Sequence, residues 1–159
     1  MFTDAPWDHY LAGDRGAISD AAKRGALGFY DSRRCSSCHS GDVFSDFENY
    51  NIGVPQVGPG TAQQDPTDAR YLGLKTWDFG LEEITFRRLD RFKFRTPPLR
   101  GVALTAPYMH NGAYATLEDA IRHHTDPRAA YENYDLSQIE LEIGSPGAAS
   151  MPFPSTGCS

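Results

Sequence analysis

The sequence predicts a mainly α fold in which short helices are joined by long ordered loops, and three features predict it. The chain of 159 residues carries 15 Gly and 11 Pro, so chain reversals are frequent and long regular elements are not expected. Apolar residues recur at three- and four-residue steps only in short windows, at 18–30 and 117–124. The third feature is Cys35-Ser36-Ser37-Cys38-His39, two thiols three residues apart with an imidazole directly after them. That is the attachment signature of c-type haem. On one helical turn the spacing brings both sulfurs under the vinyl edges of a single porphyrin, while a His39 ring nitrogen faces the iron. The competing readings are weaker. A thioredoxin-like redox pair needs a βαβ context that the chain lacks, and half of a zinc site needs a second ligand pair of suitable spacing. A haem would add a large apolar plate to the modest core that a chain of this length can bury.

The elements follow in order. Residues 1–16 read as an irregular leading segment in which Trp7, Tyr10 and Leu11 are available to pack. Ser19 is an N-cap for a helix over Ala21–Tyr30, with Ile18, Ala22, Ala26 and Phe29 or Tyr30 on its apolar face. Gly25 and Gly28 on that helix are disfavoured by propensity, so they either admit another backbone closely or are flexible glycines near a helix end. Past the haem motif, Ser40–Gly60 is a loop that wraps something. Asp65-Pro66-Thr67-Asp68 is a turn or helix start before Ala69–Leu74. Leu81–Phe94 reads as a short helix or turn segment at the surface. Its cations Arg87, Arg88, Arg91, Lys93 and Arg95 form either a solvated face or a propionate-binding one.

Arg95–Gly112, dense in Pro and Gly, is expected to be an ordered loop against the haem. Thr116 caps a helix with acids in its first turn, which runs to about His124 and stops before Asp126-Pro127. Leu136–Ile143 offers one more short helix, and 144–159 is a Pro/Gly/Ser-rich tail. The expected organisation is therefore a haem domain over 17–143 between the leading segment and the tail.

Charge and cysteine usage narrow the function. With 15 Lys+Arg against 21 Asp+Glu the formal charge is -6, and haem propionates would deepen it. This excludes nucleic acid and anionic membrane surfaces as partners and would steer a basic redox partner favourably. No stretch has the apolar length of a membrane span. Cys158 is a third cysteine without a partner if the first two hold haem. Covalent haem attachment happens outside the cytoplasm, yet Met1-Phe2-Thr3-Asp4 opens no signal peptide. The chain is therefore expected to be periplasmic or otherwise exported, with a signal already removed or as part of a longer chain.

The second axial position of a haem held by His39 tunes its potential. The candidates are Met109, His110, His123, His124 and Met151. At about 100° per residue, Leu117, Ala120, Ile121 and His124 share one stripe while His123 points away. A histidine in an apolar stripe needs a partner, either iron or a carbonyl in a core role. Met109, between Tyr108 and His110, is the next candidate, with packing against the porphyrin face as its other role.

These residues resemble a known family. Gly25 to His39, Phe44-Ser45-Asp46 leading to Asn51-Ile52-Gly53-Val54-Pro55, and Phe94-Arg95-Thr96-Pro97-Pro98-Leu99-Arg100 through Thr105-Ala106-Pro107-Tyr108-Met109-His110-Asn111-Gly112 to Thr116-Leu117-Glu118-Asp119-Ala120 are similar to the C-terminal half of the bacterial di-haem cytochrome c peroxidases and their MauG-like relatives. The resemblance covers roughly 4–135. It implies a class I cytochrome c-like domain with one covalent haem c on Cys35, Cys38 and His39. It also implies a distal ligand at the position of His124, which is methionine in typical peroxidases and tyrosine in MauG-like ones. Arg95, Arg100 and Met109 fall in its matching blocks and are expected around the cofactor. The family also binds one calcium ion, through carbonyls that match Thr105 and Pro107, and carbonyl oxygens suit that hard cation.

The chain departs from the family in carrying one haem motif. The peroxidatic haem, its distal acid, the tryptophan between the haems and the calcium asparagine have no counterpart here. The implied function is the electron-transfer half of a peroxidase or MauG-like oxidase. It would work with a second haem domain, on a preceding N-terminal half or on another chain. Its redox partner would be a small donor protein or an oxidised protein substrate, and the chain by itself would not turn over peroxide. The alternative is a stand-alone mono-haem electron carrier, or a non-catalytic cytochrome subunit of an assembly.

Overall fold

The computed structural model describes residues 4–31, 35–57 and 77–134. The expectations for Asp65–Leu74, Leu136–Ile143, Met151, Cys158 and the tail lie outside them. The chain divides into two compact units, Met1–Glu48 with Thr96–Val102, and Asn49–Arg95 with Ala103–Gly157, apart from the terminal residues. The described residues are mainly helical and the helices are short.

In the first unit the leading segment is not irregular: Pro6–Leu11 form a helix, α1. Pro6 opens it at a position where its missing N–H costs nothing, and the Asp8 carboxylate accepts from the Ala5 N–H at 3.2 Å. Trp7 packs as expected, 5.7 Å from Tyr10 and 6.3 Å from Tyr30 between ring centroids. Leu11 does not pack and stays exposed. Helix α2 spans Asp20–Asp31, with the Ser19 hydroxyl accepting from the Ala22 N–H at 3.1 Å, the anticipated cap. A Cβ added at Gly25 or Gly28 would meet nothing within 4 Å, so the close backbone approach expected there is not found among the described residues. Residues 96–102 strap this unit together. The Ser45 hydroxyl donates to the Thr96 carbonyl at 2.8 Å, the Thr96 N–H to Glu48 at 2.8 Å, and the Leu99 N–H to Val43 at 3.2 Å.

The second unit contains a short antiparallel pair that the sequence reading missed, β1 (Asn49–Tyr50) and β2 (Phe94–Arg95), with Asn49 opposite Arg95 and Tyr50 opposite Phe94. Two residues per strand are too few to show an alternating pattern. Phe79 and Phe92 stack at 5.4 Å as the core of this region, with Trp77 and Phe94 against them. Gly80 makes the core possible: at φ +60 its Cβ would lie 2.4 Å from the Lys93 carbonyl oxygen, so only glycine fits. The surface segment resolves into α3 (Glu82–Thr85) and a 3-10 turn at Arg88–Asp90. Helix α4 is Leu117–Thr125, capped by the Thr116 hydroxyl accepting from the Asp119 N–H at 3.2 Å. A further helix, α5 (Pro127–Glu132), follows at once. Asp126 caps it at 3.0 Å from the Ala129 N–H, and a Pro read only as a stop for α4 is also its start.

Candidate functional site

The Cys35–His39 segment folds as a single turn. The Cys35 carbonyl accepts from the Cys38 N–H at 3.3 Å and from the His39 N–H at 2.8 Å. The next loop folds back on that turn, Ser45 N–H to the Ser40 carbonyl at 2.8 Å and Asp46 N–H to the Cys38 carbonyl at 2.8 Å. This fold-back needs Phe44 at φ +58, a left-handed backbone rare for a bulky residue, and it delivers the Phe44 carbonyl to His39 Nδ1 at 3.0 Å. A carbonyl can only accept. Nδ1 therefore carries the proton and the lone pair of the neutral ring sits on Nε2, the tautomer that binds metal, fixed by a backbone partner. Cys35 and Cys38 are not joined in a disulfide. Two thiols and an Nε2 lone pair presented by one turn are the donor set that haem c requires.

Around this turn Phe29 meets Phe44 edge-on at 6.1 Å, and the Arg100 guanidinium lies 5.6 Å from the Phe44 centroid. Arg100, expected beside the cofactor, has a structural occupation that the sequence did not suggest. Its Nη1 donates to both carboxylate oxygens of Asp8 at 2.9 Å, and its Nε donates to the Asp42 carbonyl. The hydrogen bond from Arg100 is the main cause of the lowered Asp8 pKa.

In the second unit the residues 108–114 double back. Tyr108 and Tyr114 form an antiparallel bridge, with Met109 at φ +70 and Gly112 at φ +70. A Cβ on Gly112 would come within 3.1 Å of Pro107 Cγ, so the turn is specific for glycine. Asn111 fastens the loop by donating to the Pro55 carbonyl at 2.7 Å. Met109 is partly buried, and Arg95, Thr105 and Pro107 are exposed. His110 lies flat on Phe94, centroids 3.5 Å apart. That contact covers one face of an otherwise exposed residue, and desolvation pushes its pKa down to about 4.

The two adjacent histidines of α4 exchange the burial expected of them. His123, read as pointing away, is fully buried, whereas His124 and Ile121 are exposed. The buried stripe runs through Ala120 and His123, a three-residue step as helical as the four-residue step to His124. His123 takes the core place because both its nitrogens are satisfied there. Nε2 donates to the Ile52 carbonyl at 2.8 Å, and Nδ1 accepts from the Tyr114 hydroxyl at 2.9 Å. Desolvation lowers the pKa of His123 and raises that of Tyr114 to about 12, so the pair is held neutral. His124 Nδ1 donates to the Ala120 carbonyl at 2.8 Å, which leaves the ring lone pair on Nε2, the same tautomer as His39. His123 is thus closed to a metal, and His124 is chemically suited to one.

Of the basic cluster, Arg91 pairs with the buried carboxylate of Glu82 and Lys93 with Asp90 at 3.0 Å, so those two are structural. Sequence reasoning missed Phe44, Ile52, Asn111, Tyr114 and Asp8. Phe44 and Ile52 act through backbone carbonyls, which leave no residue-type signal. Asn111 carries one, the Asn-Gly turn dipeptide. Among the described residues no helix is long and apolar enough to cross a membrane.

The comparisons with known proteins agree with this chemistry. Residues 93–131 match the RoxA-like, cytochrome c-like family model. The chain is 37% identical over 133 residues to the cytochrome-c peroxidase IdrP1 of Denitromonas iodatirespirans, covering 75% of this chain and 35% of that protein. It is 39% identical over 118 residues to the cytochrome c551 peroxidase of Pseudomonas aeruginosa, covering 74% and 31%. To the methylamine utilization protein MauG of Methylophilus methylotrophus it is 32% identical over 141 residues, covering 86% and 37%. A solved MauG-like protein associated with microbial copper homeostasis superposes with a TM-score of 0.58 at 31% identity, covering 76% of this chain and 36% of that one. The chain thus spans about a third of the length of the relatives it matches. A Cys-Ser-Ser-Cys-His turn with its histidine tautomer fixed thus stands on a chain that is a homologue, over most of its own length, of about a third of each of these cytochrome c peroxidase and MauG proteins.

Proposed function

We propose that this chain is the c-type haem electron-transfer domain of a di-haem peroxidase or MauG-like oxidase, exported to the periplasm, which relays electrons to a second haem outside the chain. The observation that carries this reading is the His39 imidazole locked by the Phe44 carbonyl at 3.0 Å beside two cysteines not joined in a disulfide. When bound, haem c supplies a one-electron iron couple. Cys35 and Cys38 would hold the group covalently, and His39 would present Nε2 to its iron. We assign His124 as the further side chain that would hold the group, because its Nδ1–H is held by Ala120 at 2.8 Å, and a haem bound by a second protein ligand would be closed to peroxide. Arg95 and Met109 are proposed to complete the cofactor's surround. The Thr105 and Pro107 carbonyls, on a loop pinned where Gly112 meets Pro107, are proposed calcium donors.

The intact mass and haem count of the native species test the relay: two haems on the functional unit are expected. A single-haem species with peroxide turnover far above that of free haem would overturn it. For the ligand, His124→Ala is expected to convert a low-spin spectrum to high-spin, and an unchanged low-spin spectrum would remove His124 from the iron. Calorimetric titration with Ca²⁺ is expected to show one site.

A further inference from the structure

We propose that Tyr114 is a redox-active tyrosine, which gives one electron to an oxidising equivalent arriving at His124 while its phenol proton passes to His123. The two groups are already joined. The Tyr114 hydroxyl donates to His123 Nδ1 at 2.9 Å, and His123 Nε2 donates to the Ile52 carbonyl at 2.8 Å. Tyr114 is 3% exposed and His123 0%, so the acceptor for the phenol proton is the imidazole rather than bulk water. A buried phenol that lost an electron alone would leave a positive charge on its own ring, in surroundings that solvate it poorly. A base in hydrogen-bond contact moves that charge to a better carrier by taking the proton as the electron leaves. His123 is such a base. Its Nδ1 lone pair faces the phenol O–H, and the imidazolium formed would keep its Nε2–H on the Ile52 carbonyl as a charge-assisted bond.

The pair stands within a row of rings. His124 lies 6.2 Å from His123, His123 lies 5.5 Å from Tyr114, and Tyr114 lies 5.4 Å from Tyr134, centroid to centroid. These are aromatic contact distances, across which an electron passes between rings with no solvent gap. The row begins at the side chain assigned above to hold the haem and ends at Tyr134, which is partly buried and donates its hydroxyl to the Ala113 carbonyl. The backbone fixes Tyr114 in place: the Tyr108 N–H donates to its carbonyl at 2.8 Å, and its own N–H donates to the Tyr108 carbonyl at 3.3 Å. The proton therefore has one short, oriented path. In the step one electron leaves Tyr114, its O–H bond breaks and the His123 Nδ1–H bond forms, which gives a neutral phenoxyl radical beside an imidazolium. The electron reduces a one-electron oxidant, here an oxidising equivalent derived from peroxide. A one-electron reductant such as ascorbate returns the electron, and the proton goes back to the phenol oxygen. That the oxidising equivalents come through His124 rests on the function proposed above. The phenol and imidazole pair does not.

The test uses the haem-loaded full chain, photogenerated tris(bipyridine)ruthenium(III) as the one-electron oxidant, and EPR of rapidly frozen samples. A neutral tyrosyl radical is expected, with a hyperfine pattern that narrows when ring-deuterated tyrosine is incorporated. Tyr114→Phe is expected to lower its yield by about tenfold or more, and so is His123→Gln, whose amide can bond both neighbours but is no base. Tyr114→Phe keeps the ring and its packing, so a signal lost with it does not reflect loss of fold. The proposal is overturned if no tyrosyl radical forms, if its yield survives Tyr114→Phe, or if it survives His123→Gln. The spin state of the iron in His124→Ala reports separately on the reading beneath it. Low-spin iron lost in that variant, with no radical at Tyr114 in the parent chain, overturns this proposal alone. A Tyr114 radical in a chain whose low-spin spectrum survives His124→Ala overturns the haem assignment of His124 alone.

Discussion

His39 and His123 are both held by a backbone carbonyl, yet they are built for opposite ends. At His39 one nitrogen is tied to Phe44 and the other carries the lone pair. At His123 Ile52 takes one nitrogen and Tyr114 the other, and the ring is fully buried. A histidine whose Nδ1–H is held by a carbonyl turns its Nε2 lone pair to a metal, and one whose Nε2–H is spent on a carbonyl while Nδ1 accepts from a hydroxyl is a structural joint. The difference teaches that burial alone does not mark a ligand. His124, exposed and with its Nδ1–H held by the Ala120 carbonyl, shares the tautomer of His39.

The sharpest break in this comparison comes from His123→Ala. It strands the Tyr114 hydroxyl and the Ile52 carbonyl and leaves a cavity, so it should destabilise the chain by about 3–4 kcal/mol in denaturant melts. A loss under about 1 kcal/mol would show that the joint is not structural. Tyr114→Phe removes only the hydroxyl that His123 accepts and is expected to cost about 1 kcal/mol by the same measurement. His124→Ala, at an exposed position, should change the stability of the haem-free chain by less than about 0.5 kcal/mol while altering the haem spectrum as described. A stability loss as large as that of His123→Ala would merge the two classes of histidine.

The smallest effect concerns pH. The Lys93 ammonium, then the Thr85 hydroxyl, hold the Asp90 carboxyl below its ordinary 3.8. The folded value is depressed, so this contribution is fully present above about 3.8 and is lost as pH falls through the folded value. Lys93→Met should raise the Asp90 pKa in an NMR titration and start acid unfolding at higher pH. An unmoved titration would show that the ion pair does not set it.

The linear sequence by itself determined what is local: the Cys35–His39 turn, the Ser19 and Thr116 caps, and the ends of α2 and α4. Each depends on residues a few positions apart, whose spacing and side-chain chemistry suffice. Tertiary structure decided what depends on distant carbonyls and on helix rotation. Ile52 lies 71 residues from His123, and its carbonyl looks like any other in the sequence, yet it decides which of two adjacent histidines enters the core. Asp8 lies 92 residues from Arg100 and takes a guanidinium that the resemblance had assigned to the cofactor. A three-residue and a four-residue step are equally helical, so the rotation of α4 could only be settled by what the rest of the chain offered each ring to bond with.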